Sequence, residues 1–339
     1  MSNAEMEKTV AELTAPGKGI LAADESGGTI EKRFKVINVT STEETRRDYR
    51  ELLFSASGLA SFISGVILYE ETLKQKSAAG VPLPQLLTEQ RIVPGIKVDK
   101  GTVALPRFPG EKLTQGLDGL SERLAEYRKL GARFAKWRAV IDVGPGIPTR
   151  QAIAANAHAL ARYAALCQEQ QIVPIVEPEV LMDGDHTIAT AASITDEVLH
   201  TVFDALHRQR IVLECMILKP NMVVPGLKCP QQASAEEVAR ATLACLRRNV
   251  PAAVPGIFFL SGGMSDEAAT ANLNAMNAVA QKQPWVLSFS YGRALQAAAL
   301  DAWRGATAKK ATAQQALLKR ARLNGAAREG KYTAAMESA

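Results

Sequence analysis

The chain has 339 residues, 47% of them apolar and 22% charged, with a formal net charge of +5. That apolar share supports a large buried core and excludes a globally disordered chain, and the length suits one α/β barrel. The small positive excess suits an anionic small molecule rather than nucleic acid, because Arg46-Arg47, Arg247-Arg248 and Lys309-Lys310 are scattered pairs on solvated helix faces.

Cys167, Cys215, Cys229 and Cys245 form no C-x-x-C pair, and no His stands at zinc-like spacing from them. Free thiols in a reducing compartment are expected. The N-terminal stretch is acidic and polar with no apolar signal region, and no apolar run reaches the length of a membrane span. The expectation is a soluble cytoplasmic protein without membrane contact.

Short apolar runs alternate with helical patterns along the chain. GILAADES (19–26) is the first strand and ends on Asp24. The spacing after Ile30 is irregular, which predicts an insertion. Ser41 to Glu44 reads as a capping box opening a helix that carries Leu52, Leu53 and Phe54. SGVILYEE (64–71) and VPGIKVDKG (93–101) are the next strands, the latter ending on Lys97 and Asp99. Leu117, Leu120, Leu124, Tyr127 and Leu130 recur at helical steps before Gly131, a C-cap signal. RFAKWR (133–138) ends on Lys136 and Arg138, and IVPIVEPEV (172–180) on Glu177 and Glu179. A second irregular stretch covers 180–210. CMILKPNM (215–222) carries Lys219, and Ser234 to Glu237 caps a helix with Val238, Thr242 and Cys245 on one stripe. GIFFLSGG (256–263) and WVLSFSYGR (285–293) complete the set of eight runs. Helices outside the barrel are expected over 294–323, followed by a mobile tail over 324–339. Continuously apolar strands are buried on both faces, as in a parallel sheet. Eight of them separated by helices predict a single-domain (β/α)8 TIM barrel.

Polar groups gather where these runs end, and barrel active sites lie at that end of the strands. Lys219 follows a buried run. On the sequence alone it is either a salt-bridged lysine leaving the barrel or an amine nucleophile for a ketone. A free lysine amine, pKa about 10.4, is almost wholly protonated at neutral pH. Burial and a nearby cation would free it, and Lys136, also on an even-numbered strand, is the candidate cation. Glu177 and Glu179 are two apart, so they share one face of their strand, either neutralising the lysines or exchanging protons with them. Ser261-Gly262-Gly263 and Ser290-Tyr291-Gly292-Arg293 follow strands seven and eight, where barrels often bind phosphate through backbone N–H groups. Lys97, Arg138 and Arg33 form a second basic set, and two anion sites flanking a lysine suit a bisphosphate. His158, His186, His200 and His207 show no paired metal spacing, and no Gly-rich nucleotide loop is present. No metal and no cofactor are expected.

The stretches ILAADES, SGVILYEETL, GIKVDKG, QGLDGLSER, FAKWR, IVPIVEPE, LKPNM, FLSGG and FSYGRALQ resemble the class I fructose-1,6-bisphosphate aldolases, from Gly17 to about Thr333. The resemblance implies that Lys219 forms an iminium with the ketose C2 carbonyl and that Glu177 is the acid and base that dehydrates the carbinolamine. Lys136 and Glu179 would set the charge balance, and Asp24 would assist C3–C4 cleavage at the C4 hydroxyl. Ser261, Gly262, Gly263, Ser290, Gly292 and Arg293 would bind the C1 phosphate. Arg33, Lys97, Arg138 and Ser26 would lie toward the C6 phosphate. Thr29 stands where the family often has serine, and Gly27-Gly28 loosens that loop. Family members often end in a catalytic tyrosine. This chain ends in Glu337-Ser338-Ala339, with Tyr332 its last tyrosine. That leaves open a relative acting on fructose 1-phosphate or sedoheptulose 1,7-bisphosphate. A barrel scaffold without activity is the third reading. The resemblance also implies a homotetramer in glycolysis and gluconeogenesis.

Overall fold

The computed structural model describes residues 3–338; Met1, Ser2 and Ala339, the last residue of the expected tail, lie outside them. Eight parallel strands close into a barrel: β1 Gly19–Ala23, β2 Ile63–Leu68, β3 Val93–Lys97, β4 Phe134–Ile141, β5 Val173–Val180, β6 Ile217–Leu218, β7 Gly256–Phe259 and β8 Val286–Tyr291. Each strand pairs with its chain neighbours, and β1 closes against β8 through Ile20–Ser290 and Leu21–Tyr291. The fold is an α/β TIM barrel. β1, β6 and β7 are buried at every position, which is why their sequences run apolar without alternation.

Side-chain parity divides the core. Leu21, Trp137, Val176, Leu218 and Phe259 face the helical layer and join one large apolar cluster. Ile20, Ala22, Phe134, Val173, Ile175 and Ile217 point inward and form a second cluster. Close packing there depends on small partners: a Cβ built on Gly95 would stand 2.3 Å from the Phe134 ring, so only glycine admits that ring. The base of the barrel is closed by the Ala4–Leu13 helix, whose Met6, Val10 and Leu13 join the inner cluster. The polar N-terminal composition concealed this helix, because only one narrow stripe of it is apolar.

The irregular stretch after β1 holds two helices, Gly27–Val36 and Glu43–Phe54. The cap of the second differs from the expected one. Thr42, not Ser41, is the N-cap, exchanging hydrogen bonds with Thr45 at 2.8 and 3.1 Å. The Ser234–Glu237 capping box forms as the sequence predicts. The stretch after β5 is a loop leading into the long Ile188–Arg208 helix. An antiparallel pair, Thr102–Ala104 with Lys112–Thr114, follows β3 and carried no sequence signal beyond its two short runs.

The C-terminal helices are Arg293–Trp303 and Lys310–Arg328, so the last helix continues past the expected boundary at 323. Asn324 and Ala327 are fully buried, and Arg328 Nη2 donates to the Thr14 carbonyl at 2.6 Å. Small and polar composition suggested mobility there; those residues are small because the helix packs closely on the chain before β1, with Gly325 against Gly17. Further on, Glu337 accepts from Arg320 at 2.6 and 2.7 Å and from the Tyr332 hydroxyl at 3.0 Å. Among the described residues, no helix is long and apolar enough to cross a membrane, and all four cysteines are buried free thiols.

Candidate active site

The inward rows that begin with apolar residues at the barrel base end with charged ones at the C-terminal mouth. They line a cleft of about 470 Å³. Asp24 leaves β1, Lys97 ends β3, Lys136 and Arg138 stand on β4, Glu177 and Glu179 on β5, and Lys219 follows β6. The parallel register sets Lys136 opposite Lys97, and Arg138 opposite Glu177.

Lys219 Nζ lies 3.1 Å from Glu177 Oε1, and Lys136 Nζ lies 3.4 Å from Glu177 Oε2. All three side chains are almost wholly buried. The sequence set Lys136 as the cation beside Lys219, with Glu177 and Glu179 facing both lysines; in the structure it is Glu177 that bridges the two amines. Lys136 is further bound to Asp24 at 2.7 Å and faces Asp99 at 3.9 Å. Burial by itself would lower the Lys136 pKa, but Asp24, Glu177 and Asp99 outweigh it and hold the ammonium above its ordinary range. Burial would likewise raise the Asp24 carboxyl, and Lys136, Lys219 and Lys97 overcome it, holding Asp24 well below the usual carboxylate range. Lys136 is therefore a fixed cation and Asp24 a fixed anion. The Lys219–Glu177 pair keeps one uncommitted atom: Glu177 Oε2 has no hydrogen-bond partner, only the longer ion pair.

Around this centre the cations are held by acceptors. Arg138 Nε is bonded to Glu179 Oε2, and the carboxylates of Glu179, Glu177 and Asp99 keep the guanidinium firmly protonated against the effect of burial. Lys97 pairs with Asp99 at 2.7 Å. Arg293 opens its helix and donates to the Gly262 carbonyl, fixing the loop after β7 against the loop after β8. Gly262 has φ +53°, in the left-handed region, and a Cβ there would meet Met182 Cε at 2.7 Å. Ser261 and Ser290 are buried at the cleft wall, and the Ser290 hydroxyl makes no hydrogen bond to protein. A buried hydroxyl without a partner costs about 1–3 kcal/mol, which a bound anion's oxygen would offset. Ser26 and Thr29 sit at the start of the Gly27–Val36 helix with their hydroxyls 3.2 Å apart, and both line the cleft.

Nearly all the residues singled out from the sequence share this one cleft. Gly263 does not line it: its N–H donates to Met182 Sδ at 3.1 Å and is turned away. Arg33 is placed differently from its expected group with Lys97 and Arg138. A Cβ on Gly292 would stand 3.8 Å from Arg33 Nη2, so its guanidinium adjoins the loop after β8. Glu25 and Asp99 carried no assigned role, yet Glu25 lines the cleft and Asp99 anchors both Lys97 and Lys136. Asp99 closes the Lys97-Val98-Asp99 alternation, a legible signal. Glu25 had none, because β1 ends at Ala23 and strand parity stops before it. Among the described residues, no cluster of three or more His, Cys, Asp or Glu is arranged to hold a metal ion. His158, His200 and His207 are exposed on helices.

A closed parallel barrel with an amine–carboxylate pair at the C-terminal ends of its strands, and an excess of cations around it, is a TIM-barrel enzyme. The model of the fructose-bisphosphate aldolase class-I family matches residues 5–339. A fructose-bisphosphate aldolase 1 of Toxoplasma gondii is 56% identical over 97% of the chain and 91% of the relative. A probable fructose-bisphosphate aldolase class 1 of Xylella fastidiosa is 54% identical over 98% of the chain and 99% of the relative. A solved fructose-bisphosphate aldolase of Plasmodium falciparum, in complex with TRAP and a small-molecule inhibitor, superposes with a TM-score of 0.96 at 52% identity, covering 98% of this chain and 96% of that one. The chain belongs to the class I fructose-bisphosphate aldolase family, and with it to the carbon–carbon lyases.

Proposed function

We propose that the protein cleaves fructose 1,6-bisphosphate reversibly to dihydroxyacetone phosphate and glyceraldehyde 3-phosphate through a Schiff base on Lys219. The observation that carries the reading is the 3.1 Å contact between Lys219 Nζ and Glu177 Oε1. One proton passed across that contact leaves a neutral amine and a carboxylic acid together. The amine adds to the C2 carbonyl, and Glu177 protonates the carbinolamine hydroxyl, which departs as water. The resulting iminium is a strong electron sink. Asp24, held ionised, takes the C4 hydroxyl proton as C3–C4 breaks, and the bond electrons pass into an enamine on Lys219. Protonation at C3 and hydrolysis return the amine. Lys136, held as a cation, keeps Asp24 ionised and balances Glu177, while Glu179 positions Arg138.

Ser261, Gly262, Ser290, Gly292 and Arg293, joined by Arg33, would hold the phosphate near C1. Lys97, Arg138, Ser26 and Thr29 would take the phosphate near C6. The unpartnered Ser290 hydroxyl and the Arg33–Gly292 proximity support the first set. The enamine stores the electrons without a metal, so activity should survive EDTA. Buried free thiols suit a reducing compartment, and we place the enzyme in the cytoplasm, in glycolysis and gluconeogenesis. A homotetramer follows from the family resemblance. The test is borohydride reduction in the presence of dihydroxyacetone phosphate, followed by peptide mass analysis. The adduct should fall on Lys219; an adduct on any other lysine would falsify the assignment.

A further inference from the structure

Glu25 has no part in the chemistry above, yet it is buried at the meeting point of three helices. Its Oε1 accepts from Arg33 Nη1 of the Gly27–Val36 helix and, at 2.9 Å, from Gln296 Nε2. Its Oε2 accepts from Arg50 Nη2 at 2.5 Å. Arg50 belongs to the Glu43–Phe54 helix, and Gln296 to the Arg293–Trp303 helix that opens beside Gly292. Gln296 Nε2 also donates to the Ala22 carbonyl at 2.8 Å, tying the group to β1. Beneath it the rings of Phe34, Tyr49 and Trp303 pack with centroids 5.2–5.7 Å apart, and the Arg50 guanidinium lies 5.8 Å from the Tyr49 ring. The Glu25 carboxylate is therefore anchored on a rigid base.

The charges are arranged in order of depth. Glu25 and Arg50 have side chains 4% and 2% exposed and form a neutral interior pair. Arg33, 22% exposed, is the outer member and lines the cleft. One carboxylate facing two guanidinium groups leaves one positive charge over, and it sits on the group that reaches the cleft. A lone Glu–Arg pair would have held Arg33 but cancelled its charge.

We propose that Glu25, fixed by Arg50 and Gln296, is a positioning residue that aims the Arg33 guanidinium at a substrate phosphate while leaving its charge uncancelled. The proposal rests on the phosphate role of Arg33 given above. Burial would raise the Glu25 carboxyl, but Arg50 and Arg33 hold it below its ordinary value, so it stays ionised where the enzyme works.

The test is steady-state kinetics with fructose 1,6-bisphosphate on E25Q, R33A, the E25Q/R33A double variant, and Q296M with and without R33A. E25Q should raise KM about tenfold with kcat within about threefold of wild type, the loss of one charge-assisted hydrogen bond in substrate binding. In the R33A background E25Q should change KM by less than about twofold, because the guanidinium through which it acts is gone. Q296M should raise KM by a smaller factor that also vanishes in R33A, and it serves if E25Q does not fold. A KM effect that persists undiminished in the R33A background, or an unchanged KM in E25Q, overturns the positioning role. An unchanged KM in R33A overturns instead the phosphate role of Arg33, so the two failures are distinguishable.

Discussion

The two ends of the barrel interior are made by the same inward rows with opposite chemistry. On β5, Val173 and Ile175 lie in the apolar cluster at the base, and Glu177 and Glu179 continue the row at the mouth. On β4 the row runs Phe134, Lys136, Arg138, and from β6 it runs Ile217, Lys219. The base is stabilised by non-directional packing around Phe134. The mouth is held by directed ion pairs whose net worth to folding is small, since burying the charges offsets their attraction. Stability and chemistry are thereby separated along one strand. A substitution two residues further along the row should change a different measurable quantity.

The largest effect expected is at Lys219. K219A should lower kcat by about 10⁵-fold or more, with no borohydride-trapped adduct, while the thermal midpoint stays near wild type. E177Q should lower kcat by about 10²–10⁴-fold, as expected for loss of a general acid, and should slow trapping of the dihydroxyacetone phosphate imine. Normal trapping rates in E177Q would move the dehydrating acid elsewhere. At the base, F134A should cost about 3–5 kcal/mol in denaturant unfolding, with kcat/KM little changed below the unfolding transition. If F134A altered kcat as strongly as E177Q does, the separation of the two ends would be lost. S290A should raise KM by about five- to tenfold without loss of stability, because the hydroxyl has no protein partner to forfeit.

The smallest effect is on pH dependence. Asp24 has its folded pKa depressed below the unfolded value of 3.8, so its contribution to stability is present above that value and is lost as pH falls toward the folded pKa. D24N should therefore flatten the acid limb of the stability curve below about pH 4 and leave the neutral region's slope unchanged. An unaltered acid limb would mean that Asp24 is not the titrating group.

Much was legible in the sequence because parity and apolar continuity are local. Eight runs, their polar ends and the shared face of Glu177 and Glu179 follow from the chain alone, since a strand's geometry fixes which residues point together. The Ser234–Glu237 cap is likewise a four-residue matter. Where a choice hung on a neighbour, sequence reasoning slipped. Thr42 displaced Ser41 as cap because Thr45 could return its hydrogen bond. Residues 324–328 continue the last helix because they pack against the chain before β1. Gly263 turned its N–H to Met182, a residue from a loop 81 positions away.

The sequence by itself determined the barrel, the lysines and carboxylates at its mouth and the sign of charge there, because strand period, burial and side-chain chemistry are properties of short stretches. The tertiary structure decided which charge meets which. It put Glu177 between Lys219 and Lys136, Arg33 beside Gly292, and Glu25 between Arg33 and Arg50. Those pairings join residues from different strands and helices, and distance in space, which no local pattern encodes, sets the strength of each.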